Sequence, residues 1–258
     1  MVSRPPAFKL QGMTNKLFSP PSVGLDAAVV TLQRQGYAVL GAQSVHALAH
    51  TTATDLQALV SSWNDLPADQ YLKDGGRYRR RRHASYIVQG DDVQAVPHRA
   101  HWQPLEYNAL HGGMQRWFEP VATTTTALPA WSQLLCALSQ LCSHLKGAQP
   151  WYVEAHQFRI DTTDGIGRPT PEGAHRDGVD LVAVFLVDRQ GIKGGETRVF
   201  EADGPNGQRF TLSEPWSVLL LDDARVIHES TPIQPVAQGG HRDTLVVTLR
   251  SGRFQDDA

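Results

Sequence analysis

"EGAHRDGVDLVAVFLV", residues 172–187, sets His175, Arg176, Asp177 and Asp180 directly before an unbroken apolar run, Leu181 to Val187. A short apolar run bounded by turn residues reads as a strand buried on both faces. The same texture fills the chain from Trp151 onward, in "WYVEAHQFRI", "VDLVAVFLV", "ETRVFEA", "QRFTL", "WSVLLL", "RVIHES" and "DTLVVTLR". Turn signals such as "DTTDG", "DRQGIKGG", "DGPNG", "SEP" and "DD" separate these segments. Short strands at near-regular spacing predict an all-β barrel or sandwich over 151–250.

Upstream the period changes. "VGLDAAVVTLQRQGY" places apolar residues at helical spacing and stops at Gly36. A short strand follows in "GYAVLGA", and Ser44 is a candidate N-cap for a helix running to about Trp63. Residues 64–112 are rich in Gly, Pro, Arg and His and read as long loops with short strands such as "SYIVQG". Long loops in a compact domain are more often functional than idle, and these are candidates for a lid. A second helical region spans about 114–146, interrupted at Pro120 and Pro129, while 1–21 reads as an irregular arm. The expectation is one domain, 1–258, with helices and lid loops over 22–150 packed on one outer face of the strand block.

The net charge of −2 gives no global attraction to nucleic acid or to acidic membranes. The start, "MVSRPPAFKL", lacks the apolar core of a secretory signal, which predicts a cytoplasmic location. Cys136 and Cys142 lie in a helical segment, where six residues separate their Cα atoms by about 9 Å. That exceeds the disulfide limit of about 7 Å, so both are expected as buried free thiols, acting as small hydrophobes.

If "AHRD" is extended, His175 and Asp177 project from one face and Arg176 from the other. His228, within "RVIHES", supplies a third donor from a neighbouring strand. Two imidazoles and a carboxylate with open positions form the ligand set of non-haem Fe(II) oxygenases. Arg242 opens the last strand, with Thr244 on the same face two residues later. A guanidinium fork beside a hydroxyl suits the far carboxylate of a dicarboxylate co-substrate.

H-x-D, a distal His and Arg-x-Thr in this order resemble the Fe(II)- and 2-oxoglutarate-dependent dioxygenases. More narrowly, "PEGAHRDGVDLVAVFLV", "GGETRVF", "LLLDDARVIHESTPI" and "RDTLVVTLR" resemble the bacterial family that contains L-isoleucine dioxygenase and other free amino acid hydroxylases, with homologues tied to stress and biofilm phenotypes. The pieces "DGGRYRRRRHASYIV", "HGGMQRWF" and "HQFRI" extend the resemblance over most of 25–250. It implies a mainly β fold with flanking helices (α+β), built on a double-stranded β-helix (jelly-roll, cupin-like) core. It also implies Fe(II) held by His175, Asp177 and His228, 2-oxoglutarate held by Arg242, and O2 as oxidant. The substrate it implies is a small molecule, a free aliphatic L-amino acid, hydroxylated with release of succinate and CO2.

The substrate contacts are less legible. In "RYRRRR" Arg80 and Arg82 share one face of an extended chain, Arg79 and Arg81 the other. Arg80 and Arg82 are taken as candidate contacts for a substrate carboxylate, against a purely solvated run. In "VEAHQFRI" His156, Phe158 and Ile160 share one face and Gln157 and Arg159 the other; Gln157 and Arg159 are candidate polar contacts. His111, in "LHGGM", stands beside glycines that permit close backbone approach to a ligand. Two other classes share the three donors: a cupin-like Zn or Mn isomerase or hydrolase, which gives no role to Arg242, and a non-catalytic stress-response protein retaining the fold.

Overall fold

The computed structural model describes residues 18–108 and 110–257; the arm expected over 1–21 lies outside them except for 18–21. The strands are β1 (Ser22–Val23), β2 (Tyr37–Leu40), β3 (Arg79–Gln89), β4 (Asp92–Ala95), β5 (Trp151–Asp161), β6 (Leu181–Gln190), β7 (Ile192–Gly194), β8 (Thr197–Glu201), β9 (Gly207–Phe210), β10 (Val218–Asp222), β11 (Val226–Ser230), β12 (Ile233–Pro235) and β13 (His241–Arg250). The helices are α1 (Ala28–Gln35), α2 (Ala42–Ala49), α3 (Ala53–Val60), α4 (Thr123–Thr126) and α5 (Pro129–Lys146).

One large sheet runs β1-β2-β10-β6-β13-β5-β3-β4, and a smaller layer is built from β11-β8-β9 and β12-β7. Isolated bridges His175↔His228 and Gly167↔Ile233 add the 167–175 segment to the smaller layer. The two facing layers, antiparallel except for the β1–β2 pair, make the jelly roll, and the space between them holds the site. The expected strand block is present; β7 and β12, three residues each, were not anticipated.

Alternation along the strands sorts the large sheet's two faces. Leu245, Val247 and Leu249 of β13 join Leu181, Ala183 and Phe185 of β6 in a core shared with the helices. Arg242, Thr244, Val246 and Thr248 turn the other way, toward the smaller layer. Helix α5 starts with Pro at its first turn and ends at Gly147, with φ 95°. It lays Trp131, Leu134, Leu135, Leu138 and Leu141 against the sheet. Each fully buried leucine contributes roughly 1.5–3 kcal/mol through apolar burial. Trp63 pins the helical layer further, its Nε1–H donating to the carbonyls of Phe158 and Thr244 at 3.1 and 3.2 Å.

Three expectations are corrected. The helix expected from Ser44 to Trp63 is two helices, because His50 takes a left-handed turn (φ 52°) and Thr52 caps α3 through a capping box with Asp55. The loop region 64–112 contains β3, an 11-residue strand in the large sheet, whose five charged or polar leading residues mask its strand character. Helical structure does not begin at 114: residues 114–122 are non-helical and α5 begins at Pro129. Cys136 and Cys142 are free, as expected; Cys142 is buried, whereas Cys136 is only partly so. Among the described residues no helix is long and apolar enough to cross a membrane.

Candidate active site

The segment after Gly173 and the strand β11 meet through the His175↔His228 bridge, which brings the two imidazoles together, centroids 4.6 Å apart and rings tilted by 45°. His175 Nδ1 lies 3.0 Å from the Gly173 carbonyl. A carbonyl only accepts, so Nδ1 carries the proton and Nε2 presents a lone pair. That Nε2 is 3.9 Å from Asp177 Oδ1, and His228 Nε2 is 4.0 Å from Asp177 Oδ2. One donor atom from each of the three residues lies within 4.8 Å of the other two, close enough for one ion to reach all three. Burial, with His175 alongside, holds His228 well below its ordinary pKa, in the neutral form that ligates metals. Burial pushes the Asp177 carboxyl up, and among the described residues no Lys or Arg pairs with it to offset that cost, which a divalent cation would do. The donor set therefore fits Fe(II).

The backbone around Asp177 is held from below. The buried Asp223 carboxylate accepts from the amides of Asp177, Gly178 and Val179 at 3.0, 2.7 and 3.1 Å. Gln255 Nε2 donates to the Asp177 and Gly178 carbonyls. Gly178 has φ 76°, and a Cβ there would lie 2.4 Å from the Tyr107 ring, so both backbone conformation and space require glycine. Arg176 turns away to the Ala224 carbonyl, and Asp180 accepts from the Ser251 amide.

At one end of the cavity Arg242 and Thr244 lie side by side on β13, both nearly fully buried. Among the described residues Arg242 Nε has no partner, and burial together with neighbouring Arg189 lowers its pKa to about 10. A charged, buried guanidinium with a free N–H demands an anion; the far carboxylate of 2-oxoglutarate is such a group.

Arg79, Arg81 and Arg116 form a second cationic wall of the same cavity. Asp69 partners Arg79 at 2.7 Å and lies 3.9 Å from Arg81. Arg81 is sandwiched between the Phe118 and Phe158 rings, at 3.7 and 4.3 Å, and donates to His156 Nδ1 at 2.7 Å. Since an arginine only donates, His156 carries its own proton on Nε2. Arg79 Nη2, Arg81 Nε and Arg116 Nε are buried without partners among the described residues. Glu172 also lines this cavity; its Oε1 is 3.7 Å from His175 Nε2, and its Oε2 is buried and unpartnered.

Nearby, His83, His101, Glu154 and His156 bring a further four metal-ligand types within 4.8 Å. Their facing atoms are already engaged. Glu154 accepts from His83 Nε2 at 3.0 Å and from His101 Nδ1 at 3.2 Å, while His156 Nδ1 is taken by Arg81. With Arg81 and Arg116 adjacent, this cluster is a hydrogen-bonded wall rather than a second cation site.

The remaining candidates fall elsewhere. Arg80 faces an outer groove with Asp161, 3.5 Å away. Arg82 binds the Asp65 and Pro120 carbonyls and Glu119. Gln157 is fully buried toward the helices, on Ser62 Oγ, and Arg159 grips Asp243 in a two-pronged pair. His111 is buried behind the cavity wall, where its Nε2 accepts from the Lys73 amide. For the four residues of β3 and β5 the cause is shared: these strands present their other faces inward, Arg79 opposite Ile160 and Arg81 opposite Phe158. Period two identifies residues that share a face and is silent on which face is inside. Gln103, Arg116, Glu154, Glu172 and Asp223 were not singled out from the sequence. The doublet "DD" at 222–223 read only as a turn, and the other four carry no spacing signal.

The profile of the 2OG-Fe dioxygenase family matches residues 60–248. A crystallised bsmA homolog from Methylobium petroleophilum PM1 is 51% identical, covers 95% of this chain and 100% of its own, and superposes with a TM-score of 0.88. IDO from Bacillus thuringiensis, at 16% identity, covers 89% and 100% with a TM-score of 0.73. The Fe(II)/α-ketoglutarate-dependent dioxygenase TqaL, at 18% identity, covers 90% and 89% with a TM-score of 0.69. These last two share the fold. No curated protein sequence matches the chain. With three quarters of its length inside the family profile and a half-identical relative spanning nearly all of it, the chain belongs to the 2OG-Fe dioxygenase family, enzymes that use Fe(II), 2-oxoglutarate and O2.

Proposed function

We propose that this enzyme hydroxylates a small carboxylate-bearing molecule, a free aliphatic L-amino acid, with His175, Asp177 and His228 as the Fe(II) ligands. The observation that carries the reading is the charge pattern of the cavity beside the triad. One wall offers three buried guanidinium groups with unpartnered N–H, and Glu172 offers an unpartnered carboxylate oxygen. A zwitterion satisfies both, because buried polar groups left unpaired cost free energy that a matching ligand recovers. Bound Fe(II) with 2-oxoglutarate and O2 supplies oxidative decarboxylation to succinate and CO2 and delivers one oxygen atom to the substrate.

The chain's own residues position the reactants. Arg242 and Thr244 hold the far carboxylate of 2-oxoglutarate, leaving its near end at the triad. Arg79, Arg81 and Arg116 hold the substrate carboxylate, and Val179, Val184 and Val246 line the space between with apolar surface that excludes water. The oxidised carbon is then set by side-chain reach from two fixed ends.

The test is a succinate assay with Fe(II), 2-oxoglutarate and a panel of free L-amino acids, followed by product mass. The expected result is amino-acid-dependent succinate release with a product heavier by one oxygen, abolished in Asp177→Ala. Iron-loaded Asp177→Ala that still turns over 2-oxoglutarate overturns the ligand assignment. Succinate release indifferent to every amino acid overturns the substrate class.

A further inference from the structure

The loop that carries Arg116 also carries a group that reaches the triad. His101 and Arg116 bridge as an antiparallel pair, and Gln103 leaves this hairpin to lie buried beside both Arg116 and Asp177. Gln103 Oε1 accepts from Arg116 Nη2 at 2.9 Å and from Asn108 Nδ2 at 3.2 Å; Gln103 Nε2 donates to Asp177 Oδ1 at 3.0 Å. The amide cannot be turned over, because Arg116 has only donors and the carboxylate only acceptors. The turn is rigid as well: the Gly113 amide donates to the Gln103 carbonyl at 2.8 Å, and Gly112 packs so tightly that a Cβ would meet three backbone atoms within 2.8 Å.

The consequence falls on Asp177. Of its two oxygens, Oδ1 accepts from Gln103 and lies 3.9 Å from His175 Nε2, while among the described residues no protein group donates to Oδ2, which is 4.0 Å from His228 Nε2. We propose that Gln103 is a positioning residue that makes Asp177 bind the metal through Oδ2 alone, and that Arg116 shares in this role by clamping the Gln103 carbonyl. Anion contacts at Arg116 and metal contacts at Asp177 then act on the same amide. A one-oxygen carboxylate leaves a coordination position that a two-oxygen carboxylate would occupy, which preserves room for co-substrate and O2. The inference rests on the reading of His175, Asp177 and His228 as metal ligands.

The experiment is an oxygen-free titration of the metal-free protein with Co(II), read by visible absorption and by calorimetry, with no substrate present. Wild type is expected to bind one Co(II) at the triad, and Asp177→Ala to lose it. Gln103→Met, of similar volume but without the amide, is expected to weaken Co(II) binding by roughly 10–100-fold, the usual effect of removing an outer partner of a metal ligand, and to change the absorption as Asp177 becomes two-pronged. Arg116→Met and Asn108→Ala each remove a donor to the Gln103 carbonyl, and Asn108→Ala also frees the His111 amide. Each is expected to give part of the same loss, and Gln103→Met/Arg116→Met no more than Gln103→Met alone. These two variants carry the test if Gln103→Met does not fold, as judged by its melting temperature without metal. Equal Co(II) affinity and absorption in folded Gln103→Met overturns the positioning role. An Arg116→Met protein with wild-type Co(II) affinity overturns the link to the anion end. Wild type that binds Co(II) no better than Asp177→Ala removes the metal reading itself, and this proposal with it.

Discussion

Asp69 balances the cationic wall, so Asp69→Asn should unmask it. The Asp69 side chain is fully buried, 2.7 Å from Arg79 Nε and 3.9 Å from Arg81 Nη1, and accepts from the Tyr71 amide at 2.8 Å. Against the cost of burial, Arg79 and Arg81 hold its carboxyl below the usual range. Asparagine keeps the shape and the bond from Tyr71 but removes the charge, leaving two buried guanidinium groups beside Arg116 without a counter-ion. Breaking a buried ion pair costs roughly 3–5 kcal/mol, and the retained amide oxygen argues for the lower end, about 3 kcal/mol. For a chain of this size that corresponds to a melting temperature lower by roughly 6–12 °C. Thermal unfolding followed by circular dichroism reads the shift. A carboxylate ligand should stabilise the variant more than wild type, because it replaces the missing charge. A melting temperature within about 2 °C of wild type, with no added response to carboxylates, would refute the view that Asp69 neutralises an anion-binding wall.

Two further outcomes follow from the same wall. Burial, aided by Arg116 and Arg81, lowers His101 from 6.5 to about 4 despite Glu154. The folded state thus resists a proton that the unfolded chain accepts, and stability falls as pH drops from 6.5 to about 4, by about 3 kcal/mol from this group. His101→Gln should flatten that part of the stability–pH curve measured by urea unfolding, and an unchanged slope would count against a buried neutral His101. On β3, Arg81→Met should raise the substrate KM roughly 10–100-fold, the worth of a charge-assisted hydrogen bond, whereas Arg80→Ala should leave both KM and stability near wild type, its pair with Asp161 being half-exposed. The opposite ranking in steady-state kinetics would reverse the assignment of faces.

Through these contacts the loop between β4 and α4 does more than cover the cavity. It contributes Gln103 to the Asp177 carboxylate and Arg116 to the anion wall, while Asn108 holds the turn by accepting from the His111 amide at 2.7 Å. His111, which the sequence suggested as a ligand contact, serves that turn from behind.

By itself the amino-acid sequence determined the strand block from Trp151 to Arg250 and the helical character of segments within 28–60 and 129–146, and it offered His175, Asp177 and His228 with Arg242 and Thr244 as candidates. These are local or periodic signals: an apolar run, a turn residue, two side chains on one face of an extended segment. Tertiary structure alone decided which face of β3 and β5 is inside. Arg79, Arg81 and His156 meet the cavity because the opposite faces, with Tyr86, Val88, Val153 and Ala155, are claimed by the helices. It alone brought Gln103 to Asp177 and Asp223 to the amides of residues 177–179, partners far apart in the chain. Alternation specifies relative orientation at no cost, but inside and outside are set only when two layers compete for the same side chains.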